Sequence, residues 1–232
     1  MAQKAQARLG ILMLDTRFPR IPGDVGHAGS WPFPVRYGVV AGATPEAIVR
    51  ADPAPFVDAF IEMGRSLVAD GCSGIATTCG FLALIRPRLA EALGVPVAAS
   101  ALEQAGQIAA SLSPEKRLGV LTISADSLTR RHLDVAGVPA GTVVAGMEGS
   151  HFAETILGNR PELNVPLARQ EMGERAVAMV QNDPDIGALL LECTNMVPYA
   201  RDIAAATGRP VYSIYSYLRW FHEGLLPSAF DD

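Results

Sequence analysis

The feature that most constrains this chain is an internal repeat. Arg8-Leu9-Gly10-Ile11-Leu12 recurs 109 positions later as Arg117-Leu118-Gly119-Val120-Leu121, and Glu62-Met63-Gly64 recurs at the same offset as Glu171-Met172-Gly173. Gly74 and Gly187 are 113 positions apart, and Cys79 and Cys193 are 114 apart. Each cysteine is followed after 15 residues by a glycine (Gly94, Gly208) and after 17 by a Pro-Val pair (Pro96-Val97, Pro210-Val211). Matches that keep their order with so little drift point to a duplicated unit of roughly 100 residues, the size of a small domain.

Each unit reads as strands alternating with helices. Short apolar runs at Leu9–Leu14, Ser73–Thr78 and Pro96–Ala99 have the character of buried parallel strands, as do Leu118–Ile123, Ile186–Leu191 and Pro210–Ile214. Helical patterns lie at Pro45–Ala69, with Thr44 as N-cap, at Phe81–Leu93, ending at Gly94, and at Ala101–Leu112. Further patterns lie at Pro166–Val180 and Val197–Ala206. Such alternation requires right-handed crossovers and parallel sheets. The expectation is an α/β fold of two pseudo-symmetric domains, each a parallel β-sheet flanked by helices, with the active site in the cleft between them. The first domain takes residues 1–100 plus 212–232, since the aromatic tail from Tyr215 to Phe221 returns to it, and the second takes 101–211. The Gly- and Pro-rich stretch Thr16–Ala43 shows no period; a segment this long is either a binding loop or a subunit-contact arm.

Composition excludes several classes. A net charge of −5 with no basic run argues against a nucleic-acid partner. The early apolar run Leu9–Leu14 is too short for a signal core or a membrane span, so no membrane partner is expected. Three cysteines, an odd number, fit free thiols in a reducing compartment, hence a cytoplasmic location. No Cys-x-x-Cys or Cys/His spacing points to a metal. The long loop and the aromatic tail point to a homo-oligomer.

Cys79 and Cys193 each sit between an apolar strand and the next helix, where ligands bind in open parallel sheets. Helix N-termini there offer free N–H groups and should lower a thiol pKa toward neutrality. Two such sulfurs facing one cleft suit proton transfer at a carbon next to a carboxylate: one thiolate removes a proton and one thiol returns it on the opposite face. Thr78, Thr194, Asn195 and nearby N–H groups are candidate donors to the enolate-like intermediate. The alternative for the pair is two small buried hydrophobes. Cys72 has Asp185 as its counterpart and reads as structural. Glu192 should point away from Cys193 by strand alternation and is left out of the expected chemistry. His132 and His151 read as surface or capping residues. Arg17, Arg20 and Arg36 could clamp a carboxylate, though at least two read as solvent-exposed.

The strand–Cys–helix–Gly-x-Pro-Val unit, present twice, resembles the aspartate/glutamate/hydantoin racemase superfamily, whose members include arylmalonate decarboxylase and maleate isomerase. Thr78-Cys79-Gly80 and Cys193-Thr194-Asn195 carry the resemblance most strongly. It implies a site between two domains, no cofactor and no metal. It also implies roles for the ends of the first strands, Asp15 in one half and Thr122 and Ser124 in the other. Gly80-Phe81 stands where glutamate and aspartate racemases carry Asn-Thr, and Asn195 where glutamate racemases carry His, so those amino acids are poor substrate candidates. Two cysteines favour racemisation or isomerisation over decarboxylation. The expected activity is a cofactor-independent racemase or epimerase of a small carboxylate, amino-acid derivative, amide or hydantoin. A maleate-type isomerase, a decarboxylase-like enzyme and a small-ligand-binding protein stand as alternatives.

Overall fold

The computed structural model describes residues 8–228. Its strands form two four-stranded parallel sheets. The first contains β1 (Leu9–Leu14), β2 (Val35–Val40), β3 (Gly74–Thr77) and β4 (Val97–Ala98), in the order β2-β1-β3-β4. The second contains β5 (Arg117–Thr122), β6 (Val143–Gly146), β7 (Ile186–Leu191) and β8 (Val211–Ser213), in the order β6-β5-β7-β8. The two orders are identical, as duplication demands. Helices α1 (Val57–Ala69), α2 (Arg86–Leu93), α3 (Ala105–Ala110), α4 (Arg130–Val135), α5 (His151–Leu157), α6 (Val165–Asn182), α7 (Ala200–Thr207) and α8 (Ile214–Leu225) flank them. The inner strands β1, β3 and β7 are buried along most of their length, which is why they read as unbroken apolar runs rather than as alternation.

Three differences from the sequence reading have local causes. The helix expected over 45–69 breaks into a π-helical turn (Glu46–Ala51) and then α1. Asp52 is extended (φ −141°, ψ 128°), as a residue before proline tends to be, and Pro53 has no N–H to continue the ladder. The helices after both cysteines start as tight 3₁₀ turns, Gly80–Ile85 before α2 and Thr194–Tyr199 before α7. The stretch Thr16–Ala43 contains the edge strand β2 and folds back onto the molecule: Trp31 is buried, stacks on Tyr215 of α8 at 5.2 Å and donates to the Val25 carbonyl.

α8 leaves β8 in the second sheet and crosses to the first half. Gln104 donates to the Ser213 carbonyl at its start (2.8 Å), and Tyr217 donates to Glu103 (3.0 Å). Phe221 and Leu225 lie over Gly74, where any side chain would displace them. The ends of the expected first domain, residues 1–7 and 229–232, lie outside the described residues.

α2 and α7 both close on a left-handed glycine, Gly94 (φ 65°) and Gly208 (φ 64°), with open space where a Cβ would stand. With no clash to relieve, an alanine there pays only backbone strain. Gly94→Ala and Gly208→Ala should each lower unfolding stability by about 1–2 kcal/mol in urea titrations, with matching values in the two halves.

Candidate active site

The two sheets aim their carboxyl ends at one narrow, mostly apolar cavity. β3 ends at Thr77 and β7 at Leu191, so Cys79 and Cys193 each lie two residues beyond a strand, on the last turn of backbone before a 3₁₀ segment. Both cysteines line the cavity and both are buried, free thiols. Thr78, Gly80, Thr194 and Asn195 line it as well. Apolar walls come from Leu14, Phe18, Val49, Phe81, Ile123 and Ile156. The halves are also tied together here: the Thr194 hydroxyl donates to the Thr78 carbonyl across the interface (2.7 Å).

Other expected site residues lie elsewhere. Asp15 is exposed and caps a turn, accepting from the Gly42 N–H at 3.0 Å; it does not line the cavity. Ser124 is buried but bonds Ser127, one layer out. Thr122 also lies behind the lining, where its hydroxyl donates to Glu192 Oε2 at 2.7 Å. Arg36 pairs with Asp70 on the surface and Arg17 is exposed, whereas Arg20 lines the cavity. His132 is buried edge-on against Phe81, and His151 accepts from the Asn164 N–H, away from the cavity. Cys72 is buried outside it.

Two residues that the sequence reading set aside or passed over are central. Glu192 is fully buried and lines the cavity. Strand alternation misplaced it because β7 has already ended at Leu191, and past a strand end the period of two no longer applies. Its carboxylate reaches over Gly80, where a Cβ would overlap Oε1, so only glycine fits there. Oε1 has no hydrogen-bond partner among the described residues. Asp24, from the long loop, is 2% exposed and accepts from Asn195 Nδ2 (2.5 Å), Arg20 Nη1 (2.9 Å) and the Gly26 N–H (2.7 Å). Arg20 also bonds Thr16 and lies over the Phe18 ring at 4.6 Å, yet its buried Nε has no partner among the described residues.

The electrostatics reverse one expectation. Burial pushes Cys79 up to about 12, with the Glu192 carboxylate pushing the same way; N–H groups of Phe81 and Leu82 pull only partly back. Cys193 is raised well above the ordinary thiol value, first by burial and then by Glu192. The helix-start N–H groups are present as anticipated, but desolvation outweighs them. In the ligand-free cavity both sulfurs therefore rest as thiols. Glu192 itself is raised by burial to about 7, Thr122 opposing. Among the described residues, no group of three or more His, Cys, Asp or Glu is arranged to hold a metal. None of the described helices is long and apolar enough to cross a membrane.

This architecture has close counterparts among solved structures. Allantoin racemase from Klebsiella pneumoniae superposes with a TM-score of 0.62 at 16% identity, covering 97% of this chain and 96% of that one. Unliganded arylmalonate decarboxylase gives 0.58 at 16%, covering 96% and 94%. Glutamate racemase from Francisella tularensis with D-glutamate gives 0.58 at 13%, covering 97% and 85%. The chain shares the fold of these racemases and of the decarboxylase. Curated relatives carry a different name. A dimethylsulfoniopropionate lyase of Durusdinium sp. clade D is 29% identical over 233 residues, covering 95% of this chain and 75% of that protein. Dimethylsulfoniopropionate lyase 5 of Emiliania huxleyi is 29% identical over 235 residues, covering 96% of this chain and 46% of the relative. No family model matches. The relatives and the structural neighbours alike are enzymes; the lyase names separate the type of reaction from the isomerase expected.

The buried Glu192 fixes a pH signature. Its pKa is about 7 folded against an ordinary 4.5, so the folded state holds the extra proton between these values and stability falls as pH rises through that window. The shift corresponds to ~3 kcal/mol. Glu192→Gln should therefore be more stable than the parent at pH 8, by up to about that amount, with the gap closing near pH 4.5. Thermal melts of both proteins at the two pH values check the sign.

Proposed function

We propose that this protein is a cofactor-independent lyase that eliminates dimethyl sulfide from dimethylsulfoniopropionate or a close sulfonium carboxylate. The observation that carries this reading is the pair of unpartnered buried atoms on cavity-lining residues, Glu192 Oε1 and Arg20 Nε. A buried carboxylate oxygen with no donor is unfavourable until a cation or a proton meets it. A small zwitterion meets both needs: its sulfonium lies against Glu192 and the Phe81 and Phe18 rings, and its carboxylate takes the Arg20 Nε–H and the N–H groups at the two helix starts. The substrate named for the sequence relatives is such a zwitterion.

The chemistry needs one base. A cysteine thiolate takes the proton from the carbon next to the carboxylate. The C–H electron pair becomes the new C=C bond, and the C–S⁺ bond breaks with its electrons going to sulfur. The products are acrylate and neutral dimethyl sulfide, and the proton stays on the thiol until water takes it. A bound sulfonium also helps to form the thiolate, because it offsets the Glu192 charge that adds to burial in holding both thiols up. The apolar walls keep water from protonating the carbanion.

A second reading, racemisation of a small carbon acid, draws support from the two cysteines lining one cavity.

The experiment is headspace detection of dimethyl sulfide from purified protein with dimethylsulfoniopropionate. The expected result is sulfide and acrylate in equal amounts, with the rate of the Cys79→Ser/Cys193→Ser double variant lower by about 10²–10⁴. Glu192→Gln should raise KM more than it lowers kcat, since it removes binding common to substrate and transition state. A folded protein that releases no sulfide, but incorporates solvent deuterium into a chiral carbon acid, would instead establish the second reading.

A further inference from the structure

The cavity is not symmetric at its sulfurs. Cys79 and Cys193 occupy equivalent places, but the residue two positions on is Phe81 in one half and Asn195 in the other. Cys193 Sγ lies 3.6 Å from Asn195 Oδ1. Which end of that amide faces the sulfur is decided from the far side. Asp24 accepts from the amide nitrogen at 2.5 Å, and a carboxylate can only accept, so the nitrogen must turn to Asp24 and the oxygen to the sulfur. An amide oxygen is an acceptor. It bonds a thiol S–H and repels a thiolate. Asp24 is itself held by Arg20 and the Gly26 N–H, all within the Thr16–Ala43 loop.

Burial disfavours the Cys193 thiolate most, the charged and titratable groups Glu192, Cys79 and Asp24 act the same way, and the Asn195 backbone N–H opposes them. Among the described residues, Cys79 has no acceptor of this kind. Its sulfur faces the N–H groups of Phe81 and Leu82, with Arg20 adding positive charge.

We propose that Asp24 is a positioning residue that acts through Asn195 to keep the proton on Cys193, so that Cys79 is the catalytic base. This deepens the lyase reading and rests on it for the second half of the claim. A thiol whose hydrogen is committed to Asn195 neither competes for the substrate's proton nor returns one on the opposite face. The duplicated scaffold of a two-base inversion is thereby restricted to elimination from one side. It also gives the long loop a task, since Asp24 and Arg20 both come from it.

Infrared spectroscopy of the S–H stretch in the intact, ligand-free protein tests the first half without any substrate. Cys193→Ser identifies the band. In the parent at pH 7, Cys193 should show an S–H band at lower frequency than Cys72, as a hydrogen-bonded thiol does. The band should return to the free-thiol position in Asn195→Ala, which leaves the Asp24 charge in place, and in Asp24→Asn, which frees the amide to turn. No Cys193 S–H band at pH 7, or a band that ignores Asn195→Ala, overturns the proposal. Should Asp24→Asn fail to fold, Asn195→Ala alone decides. Turnover tests the second half: Cys79→Ser should lose at least a hundredfold in dimethyl sulfide release. Cys193→Ser, whose hydroxyl can still donate to Asn195, should lose at least tenfold less than Cys79→Ser does. The reverse order overturns the assignment of the base. If the parent itself releases no sulfide, the lyase reading fails, and the infrared result still stands or falls by itself.

Discussion

A carboxylate buried in an apolar wall with one oxygen empty is the constraint around which this molecule is arranged. Glu192 extends from the end of β7 across the interface and rests on Gly80 at the end of β3. That single reach requires the two halves to meet at their strand ends and requires glycine after the first cysteine; burial raises Glu192 and both thiols, and the Glu192 charge adds to the rise of the thiols. The desolvation involved is several kcal/mol in kind, and a fold retains such a group where a ligand compensates it. The walls, the helix-start N–H groups and the loop residue Arg20 then read as parts of one receptacle for a small zwitterion.

Duplication supplied the frame, and broken symmetry supplied the site. Sheet order, the 3₁₀ starts after the cysteines and the left-handed glycine caps repeat in both halves. The residues flanking the sulfurs do not: Thr78 stands opposite Glu192, Gly80 opposite Thr194 and Phe81 opposite Asn195. Two of these differences meet across the interface: Thr194 donates to the Thr78 carbonyl, and Glu192 lies over Gly80. A chain built from two like halves thus presents two unlike faces to its cavity.

Much of this was legible in the sequence because it is local or periodic. The runs Leu9–Leu14 and Ile186–Leu191 are strands to the residue, since burial on both faces leaves an unbroken apolar signature. The cysteines were found through the repeat, which no packing argument needs. What escaped is tertiary. β2 is an edge strand with alternating exposure inside a Gly/Pro-rich stretch, so no apolar run announces it. Asp24 belongs to that same stretch, and nothing nearby in sequence says that it meets a residue 171 positions away. Glu192 was misjudged by extending a strand period past the strand. The thiol pKa values were misjudged because helix-start N–H groups can be read from sequence, whereas desolvation depends on what closes over them.

The most direct measurement is a crystal structure of the Cys79→Ser/Cys193→Ser protein soaked with dimethylsulfoniopropionate. The account predicts one molecule in the cavity, its sulfonium methyl groups against Glu192 and Phe81, its carboxylate on Arg20 and the helix-start N–H groups, and its α-carbon between the two replaced side chains. A ligand bound with its carboxylate against Glu192, or one that leaves the cavity empty and binds elsewhere, would contradict it.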